Sequence, residues 1–184
     1  NASGTSAVME IAATLQKLKN EGKGPRRSVL CMLVTGEEKG LLGSLYYVNN
    51  PLFSLQQTKT EINVDMIGRM DDKYGKDTNY IYVIGSDRIN PKLHELNVRV
   101  NQKYAQLKLD HTFNSETDPN RFYYRSDHYN FAEKGIPSIF FFSGVHEDYH
   151  RLTDDAFKIN YTKTTNIARH IFLLTWALAN GSGL

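Results

Sequence analysis

The sequence predicts an α/β fold with a largely parallel sheet, on three observations. Short apolar runs recur at Ser28–Leu33, Glu61–Ile67, Tyr80–Ile84 and Ser138–Phe142. Stretches between and around them carry apolar residues at helical spacing, and glycine or proline punctuates most of the boundaries. Runs of that length are what a strand buried on both faces requires, and their alternation with helices favours parallel neighbours.

Each element has a local reason. Val8, Ile11, Leu15 and Leu18 share one helical face until Glu21-Gly22-Lys23-Gly24 stops the helix. Ser28–Leu33 reads as a buried strand broken by Gly36, with Cys31 an inert core residue. Leu41–Asn49 forms a short helix that Pro51 terminates. Glu61–Ile67 is a second buried strand, ended by Gly68, and Tyr80–Ile84 a third. Asn90-Pro91 opens a helix whose Leu93, Leu96, Val100 and Tyr104 align. Leu109–Arg125 is polar and aromatic without a period and reads as a long surface loop. Ser126 is placed to cap a short helix running through Ala132 to Gly135. Pro137 leads into the strand Ser138–Phe142, Gly144–Asp155 is irregular, and Ile167, Ile171, Leu174 and Leu178 stripe a closing helix.

Composition narrows the function classes. A chain of 184 residues, 40% hydrophobic, suits one globular domain with a real core, spanning 1–184. Its net charge of +2 gives no electrostatic case for nucleic acid, and no basic block points to a membrane surface. The longest apolar run near the C-terminus, Ile171–Ala179, is too short to span a bilayer. A single cysteine excludes an internal disulfide. The N-terminus carries no basic segment followed by an apolar one, so no signal peptide is expected within the chain.

Chemistry concentrates where apolar strands end. Glu37-Glu38 follows the first run and Asp65 sits within the second. His146-Glu147-Asp148-Tyr149-His150 follows the last, with Asp154 four residues beyond His150. Open α/β sheets hold ligands at their carboxyl edge. Two adjacent carboxylates divide their labour when one serves a metal and the other is a base for activated water. Carboxylates with an imidazole are a catalytic zinc set, and an outer carboxylate commonly orients the histidine. The irregular segment favours only one of His146 and His150 as a ligand. Ser126-Asp127-His128 has the residue types of a hydrolase triad, but adjacent residues cannot reach one another in that geometry, and no Gly-x-Ser-x-Gly elbow is present. His94, His111 and His170 lack patterned acidic neighbours and read as solvated or structural.

Five ordered motifs carry a resemblance over nearly the whole chain. They are Asn1-Ala2-Ser3-Gly4, Thr35-Gly36-Glu37-Glu38 running on to Gly43-Ser44, Asn63-Val64-Asp65-Met66, Ser126-Asp127-His128, and His150 with Asp154. Together they resemble the M28 family of zinc aminopeptidases. The resemblance implies a three-layer sandwich around a largely parallel mixed sheet, peptide substrates and two zinc ions. It implies Glu37 as general base, Glu38 and His150 as ligands of one zinc and Asp65 of the other. It also implies Tyr123, three residues before the Ser-Asp-His motif, as donor to the scissile carbonyl oxygen. A further histidine and a bridging aspartate expected from the family are not among these residues, and neither are the first strands of its sheet. The chain therefore reads as a fragment, inactive alone. Two rival readings are a glutaminyl cyclase, whose usual tryptophan before the ligand histidine is Tyr149 here, and a non-catalytic binding module on a peptidase scaffold.

Overall fold

In the computed structural model, which describes residues 2–181, a four-stranded sheet lies between helices. The strands are β1 (Glu61–Val64), β2 (Tyr80–Ile84), β3 (Lys108–Asp110) and β4 (Ser138–Phe142). The helices are α1 (Ala2–Asn20), α2 (Leu42–Asn49), α3 (Pro91–Val100), α4 (His128–Glu133) and α5 (Tyr161–Asn180). Asn1, which opens the first motif, lies outside the described residues.

The sheet order is β1-β4-β2-β3. β1 runs parallel to β4 with Glu61 opposite Ser138 and Val64 opposite Phe141. β2 runs parallel to β3, but antiparallel to β4, with Ile84 opposite Phe140. β2 and β4 are buried at every position, the expected consequence of helices or loops on both faces. One core joins Ala7, Ile11 and Leu15 of α1 to Ile81, Val83, Ile139 and Phe141 of the sheet and to Ile167, Ile171 and Leu174 of α5. On the other face an aromatic cluster gathers Tyr80, Tyr82, Phe122, Phe140 and Phe142.

Local signals explain most boundaries. Asn90 caps α3 by accepting from the Lys92 amide at 3.1 Å, with Pro91 in the first turn, where its missing N–H costs nothing. Asn160 caps α5 by accepting from the Lys163 amide at 2.9 Å. Lys163 is fully buried, with its ammonium 3.3 Å from the centre of the Tyr80 ring and 2.8 Å from the Tyr80 carbonyl oxygen. Burial pulls its pKa down to about 7.

Four expectations are corrected. Residues 28–34 form no regular secondary structure, and Leu30 and Leu33 are 46% and 56% exposed. An apolar run becomes a strand only when another backbone takes up its hydrogen bonds, and among the described residues none bonds to this one. Cys31, expected in the core, is exposed for the same reason. The second run forms only Glu61–Val64 as strand and is partly buried, because β4 covers just one of its edges. The segment expected as a plain loop opens within β3, whose three residues pair with β2 but are too few to show alternation.

Buried histidines give the fold an acid limit. His128, stacked on Phe140 with centroids 4.8 Å apart, is held by burial at a pKa of about 3. His170, with Nε2 2.8 Å from Asn97 Oδ1, is held at about 4. An unfolded histidine protonates near 6.5. The stability these two neutral rings contribute is therefore fully present above that value and lost as pH falls toward about 4 and then 3. Urea midpoints should drop between about pH 7 and about pH 4, and His170→Gln should lose less over that interval than the parent.

Candidate active site

The parallel pairing of β1 and β4 decides what meets at their common carboxyl edge. Asp65 follows β1 directly, and its amide donates to the Phe141 carbonyl at 3.2 Å. The chain then turns through Met66 at φ 54°, a left-handed conformation uncommon for a side-chain-bearing residue. The loop after β4 carries His150, at φ 58°, to the same edge. Strained residues of this kind persist where their surroundings hold them, and they collect at functional sites.

Glu37 and Glu38 arrive from the other side. Gly36 at φ 68° supplies the left-handed turn that ends the extended segment, and Glu37–Lys39 form one turn of 3-10 helix. Glu38 Oε1 lies 3.0 Å from His150 Nε2. Glu37 is pushed up to about 7, first by burial and then by the negative charges of Asp65, Glu38 and Asp127, with His150 opposing. Four of the five residues proposed from sequence, Glu37, Glu38, Asp65 and His150, thus line one groove.

Tyr123 is the fifth, and its contacts lie elsewhere. The Arg88 guanidinium sits 3.8 Å from its ring centre, and Tyr124, His128 and Tyr129 pack edge-on around it. A methyl group built on Gly85 would meet the Tyr123 ring at 2.9 Å and the Ser138 carbonyl at 3.3 Å, so Gly85 permits this packing. Ser138 opens β4, so the Tyr123 ring is at the amino end of the strand whose carboxyl end leads to His150. The antiparallel pairing of β2 with β4 brings Gly85 there.

Tyr149 is the tyrosine among the acids. Its ring stacks on His150 with centroids 3.9 Å apart, and it lines the same groove. Burial raises its hydroxyl pKa; Arg125 opposes this, and Glu38, Glu37 and Asp65 add to it. The sequence signal was its place beside His150 in a strand-end loop.

Ser126 does not cap α4, where Asp127 occupies the cap position without a side-chain bond. Instead Asn63 Nδ2 donates to Ser126 Oγ at 2.7 Å, and Ser126 Oγ donates to Asp65 Oδ2 at 3.0 Å. That relay orients the Asp65 carboxylate. Asp127 accepts from Ser44 Oγ at 2.5 Å, and burial raises its pKa despite that bond. Asp154 turns away from the role of orienting His150. It accepts from Arg69 Nη1 at 2.9 Å and lies 4.0 Å from His146 Nε2. Arg69 Nη2 also donates to Asp148 at 2.8 Å, and Lys158 and Thr153 complete the shell of Asp148 at 2.8 and 2.6 Å. This clamp ties the His150 loop to the turn after β1.

The donor chemistry fits a zinc ion in part. Glu38 and His150 converge as a carboxylate and an imidazole, with Asp65 and Glu37 adding negative charge nearby. Among the described residues, no three His, Cys, Asp or Glu side chains gather closely enough to form a complete metal site.

Residues 1–175 match peptidase family M28. The chain is 31% identical over 159 residues to leupeptin-inactivating enzyme 1 of Streptomyces exfoliatus, covering 86% of this chain and 31% of that protein. It resembles the zinc aminopeptidase BSAP from Bacillus subtilis at TM-score 0.79 and 23% identity, over 100% of this chain and 42% of that one. An aminopeptidase from Aneurinibacillus sp. strain AM-1 superposes at TM-score 0.76 and 22% identity, over 100% and 40%. A glutaminyl cyclase from Porphyromonas gingivalis superposes less well, at TM-score 0.57 and 18% identity, over 77% and 48%. The chain thus spans less than half the length of these relatives.

The clamp makes a measurable claim. Arg69→Leu removes charge-assisted bonds worth about 1.5–3 kcal/mol. Amides of the loop around His150 should then exchange faster, while those of α5 stay protected. Unchanged exchange in the loop would show that the clamp does not hold it.

Proposed function

The chain belongs to peptidase family M28, and from that premise we propose that it carries much of the catalytic apparatus of a zinc aminopeptidase, which hydrolyses N-terminal peptide bonds. One observation carries this reading: Glu37, raised to about 7, lies beside the Glu38–His150 pair. A carboxylate poised near neutrality is what proton transfer to and from water requires. Glu38 and His150 would hold one zinc ion and Asp65 a second, with Ser126 fixing the Asp65 carboxylate. Zinc, when bound, supplies Lewis acidity that lowers the pKa of water and polarises a carbonyl.

The protein's own groups do the rest. Glu37 takes the proton of the attacking water and returns it to the leaving amine. The opening of the C–N bond is thereby coupled to protonation of nitrogen. A tyrosine hydroxyl donates to the carbonyl oxygen as negative charge develops there. The family motif nominates Tyr123 for that role. The stacking of Tyr149 on His150 within the acidic groove supports Tyr149 instead. The glutaminyl cyclase reading has less support, because that fold match is lower and covers 77% of the chain.

Kinetics of variants of the longer protein, on an aminoacyl chromogenic substrate, separate these roles. Glu37→Gln should keep its zinc and lower kcat by about 10²–10⁴, the range for a general base. Tyr149→Phe should lower kcat more than Tyr123→Phe does. The reverse order would return the donor role to Tyr123, and near-normal turnover in Glu37→Gln would remove Glu37 from the mechanism. An N-terminal glutaminyl peptide assayed alongside tests the cyclase alternative.

Among the described residues, fewer than the three protein ligands typical of catalytic zinc gather at either position. Calorimetric titration of residues 1–184 alone should therefore find weak binding at fewer than two equivalents, with no aminopeptidase activity. Two tight sites would show that the ligands are misassigned.

A further inference from the structure

The three side chains of Ser126-Asp127-His128 leave in three directions. Ser126 Oγ donates to Asp65 Oδ2. His128 is fully buried and stacks on Phe140, which fixes α4 on β4. Asp127 occupies the cap position of α4, yet its carboxyl group makes no capping bond there. An aspartate at a helix start ordinarily satisfies that helix's own amides. Asp127 reaches instead to a different helix, α2, where Ser44 Oγ donates to its Oδ1.

Ser44 is the buried centre of that joint. Asn130 Nδ2 of α4 donates to Ser44 Oγ at 2.8 Å and to the Leu41 carbonyl oxygen at 3.2 Å. Leu41 is left-handed at φ 58°, a conformation that persists only where its surroundings hold it. Among the described residues, α2 packs chiefly on α4 and on the Glu37–Lys39 turn. Its outer side chains Leu42, Leu45 and Tyr46 are exposed.

α2 and the turn bearing Glu37 and Glu38 are one piece. The amides of Leu41, Leu42 and Gly43 donate to the carbonyls of Glu37, Gly36 and Thr35 at 2.9, 3.1 and 2.8 Å. A methyl group built on Gly43 would lie 2.6 Å from the Thr35 nitrogen and oxygen, so helix and turn meet backbone to backbone. Residues 28–34, which lead into the turn, make no backbone hydrogen bond among the described residues. The turn is therefore placed from its far side, through α2, Ser44 and Asp127. Ser126 holds Asp65, so two adjacent residues tie the two walls of the groove together.

We propose that Asp127 is a positioning residue: by holding Ser44 it sets the place of Glu37 and Glu38 relative to Asp65. The role belongs to the hydrogen bond of Asp127 and not to its charge. It rests on the reading of Glu37 as base and of Glu38 and Asp65 as zinc ligands, but one of its readouts needs neither zinc nor turnover.

The test uses variants of the longer protein. Asp127→Ala leaves the Ser44 hydroxyl a buried donor without its acceptor. The Leu41, Leu42 and Gly43 amides should then exchange about tenfold faster, while those of β2 and β4 stay protected. Asp127→Asn keeps an oxygen for Ser44 and should recover most of that loss. On an aminoacyl chromogenic substrate, Asp127→Ala should lower kcat about ten- to hundredfold and leave KM within about twofold of the parent. That is the pattern of a displaced base, not of a lost substrate contact. Ser44→Ala should do likewise, and combining it with Asp127→Ala should cost nothing further, because the two residues form one joint.

The proposal is overturned if the turn amides of Asp127→Ala exchange at the parent rate, or if all amides speed up alike. It is also overturned if Asp127→Asn is as impaired as Asp127→Ala, or if KM carries the loss. Glu37→Gln, assayed alongside, separates the two levels. Normal kcat in Asp127→Ala beside a slow Glu37→Gln sinks the proposal alone. Normal turnover in both sinks the catalytic reading, and the exchange rates still decide whether Asp127 holds the turn.

Discussion

The parallel hydrogen bonding of β1 to β4 is the constraint on which the rest depends. Parallel strands end at the same edge, so the residue after β1 and the loop after β4 must meet there. That register delivers Asp65 and the His150 loop to one place although they are far apart in the chain. Had β4 paired antiparallel to β1, as it does to β2, the His150 loop would leave from the opposite edge. The acids of the groove would then have no imidazole among them.

The same pairing explains why one tyrosine joins the acids and another does not. Tyr123 is wedged against Gly85, which follows β2, and β2 runs against β4. Its ring therefore packs beside the start of β4. Tyr149 sits one residue before His150 and travels with it. The Asn63–Ser126–Asp65 relay and the Arg69–Asp148 clamp then set the orientation of parts that the sheet has brought near. Membership of peptidase family M28 accounts for the order of these motifs along the chain. The hydrogen bonds account for Asn63, Asp65 and Ser126 within those motifs.

Crowded carboxylates are an unstable arrangement unless something divides them. Glu37 answers by rising toward neutrality, and Asp127 by burial beside Ser44. Glu61 answers in the same way: burial, and then the charge of Asp127, raise its carboxyl well above the usual range.

The sequence by itself determined the elements whose cause is local. The stripes of α1 and α5, the Asn90-Pro91 start of α3 and the solid apolar runs of β2 and β4 need only side-chain periodicity and capping. It also marked Glu37, Glu38, Asp65 and His150, because charged residues at apolar strand ends are anomalous in any context. Tertiary structure alone decided what depends on distant partners. Ser126 reads as a helix cap until Asn63 and Asp65 are placed beside it. Ser28–Leu33 reads as a buried strand, yet Leu30, Cys31 and Leu33 stay exposed, because a strand exists only through the hydrogen bonds of its neighbours. Strand direction, which sent Tyr123 and His150 to opposite ends of β4, is a property of pairing, and an apolar run reads the same in either direction.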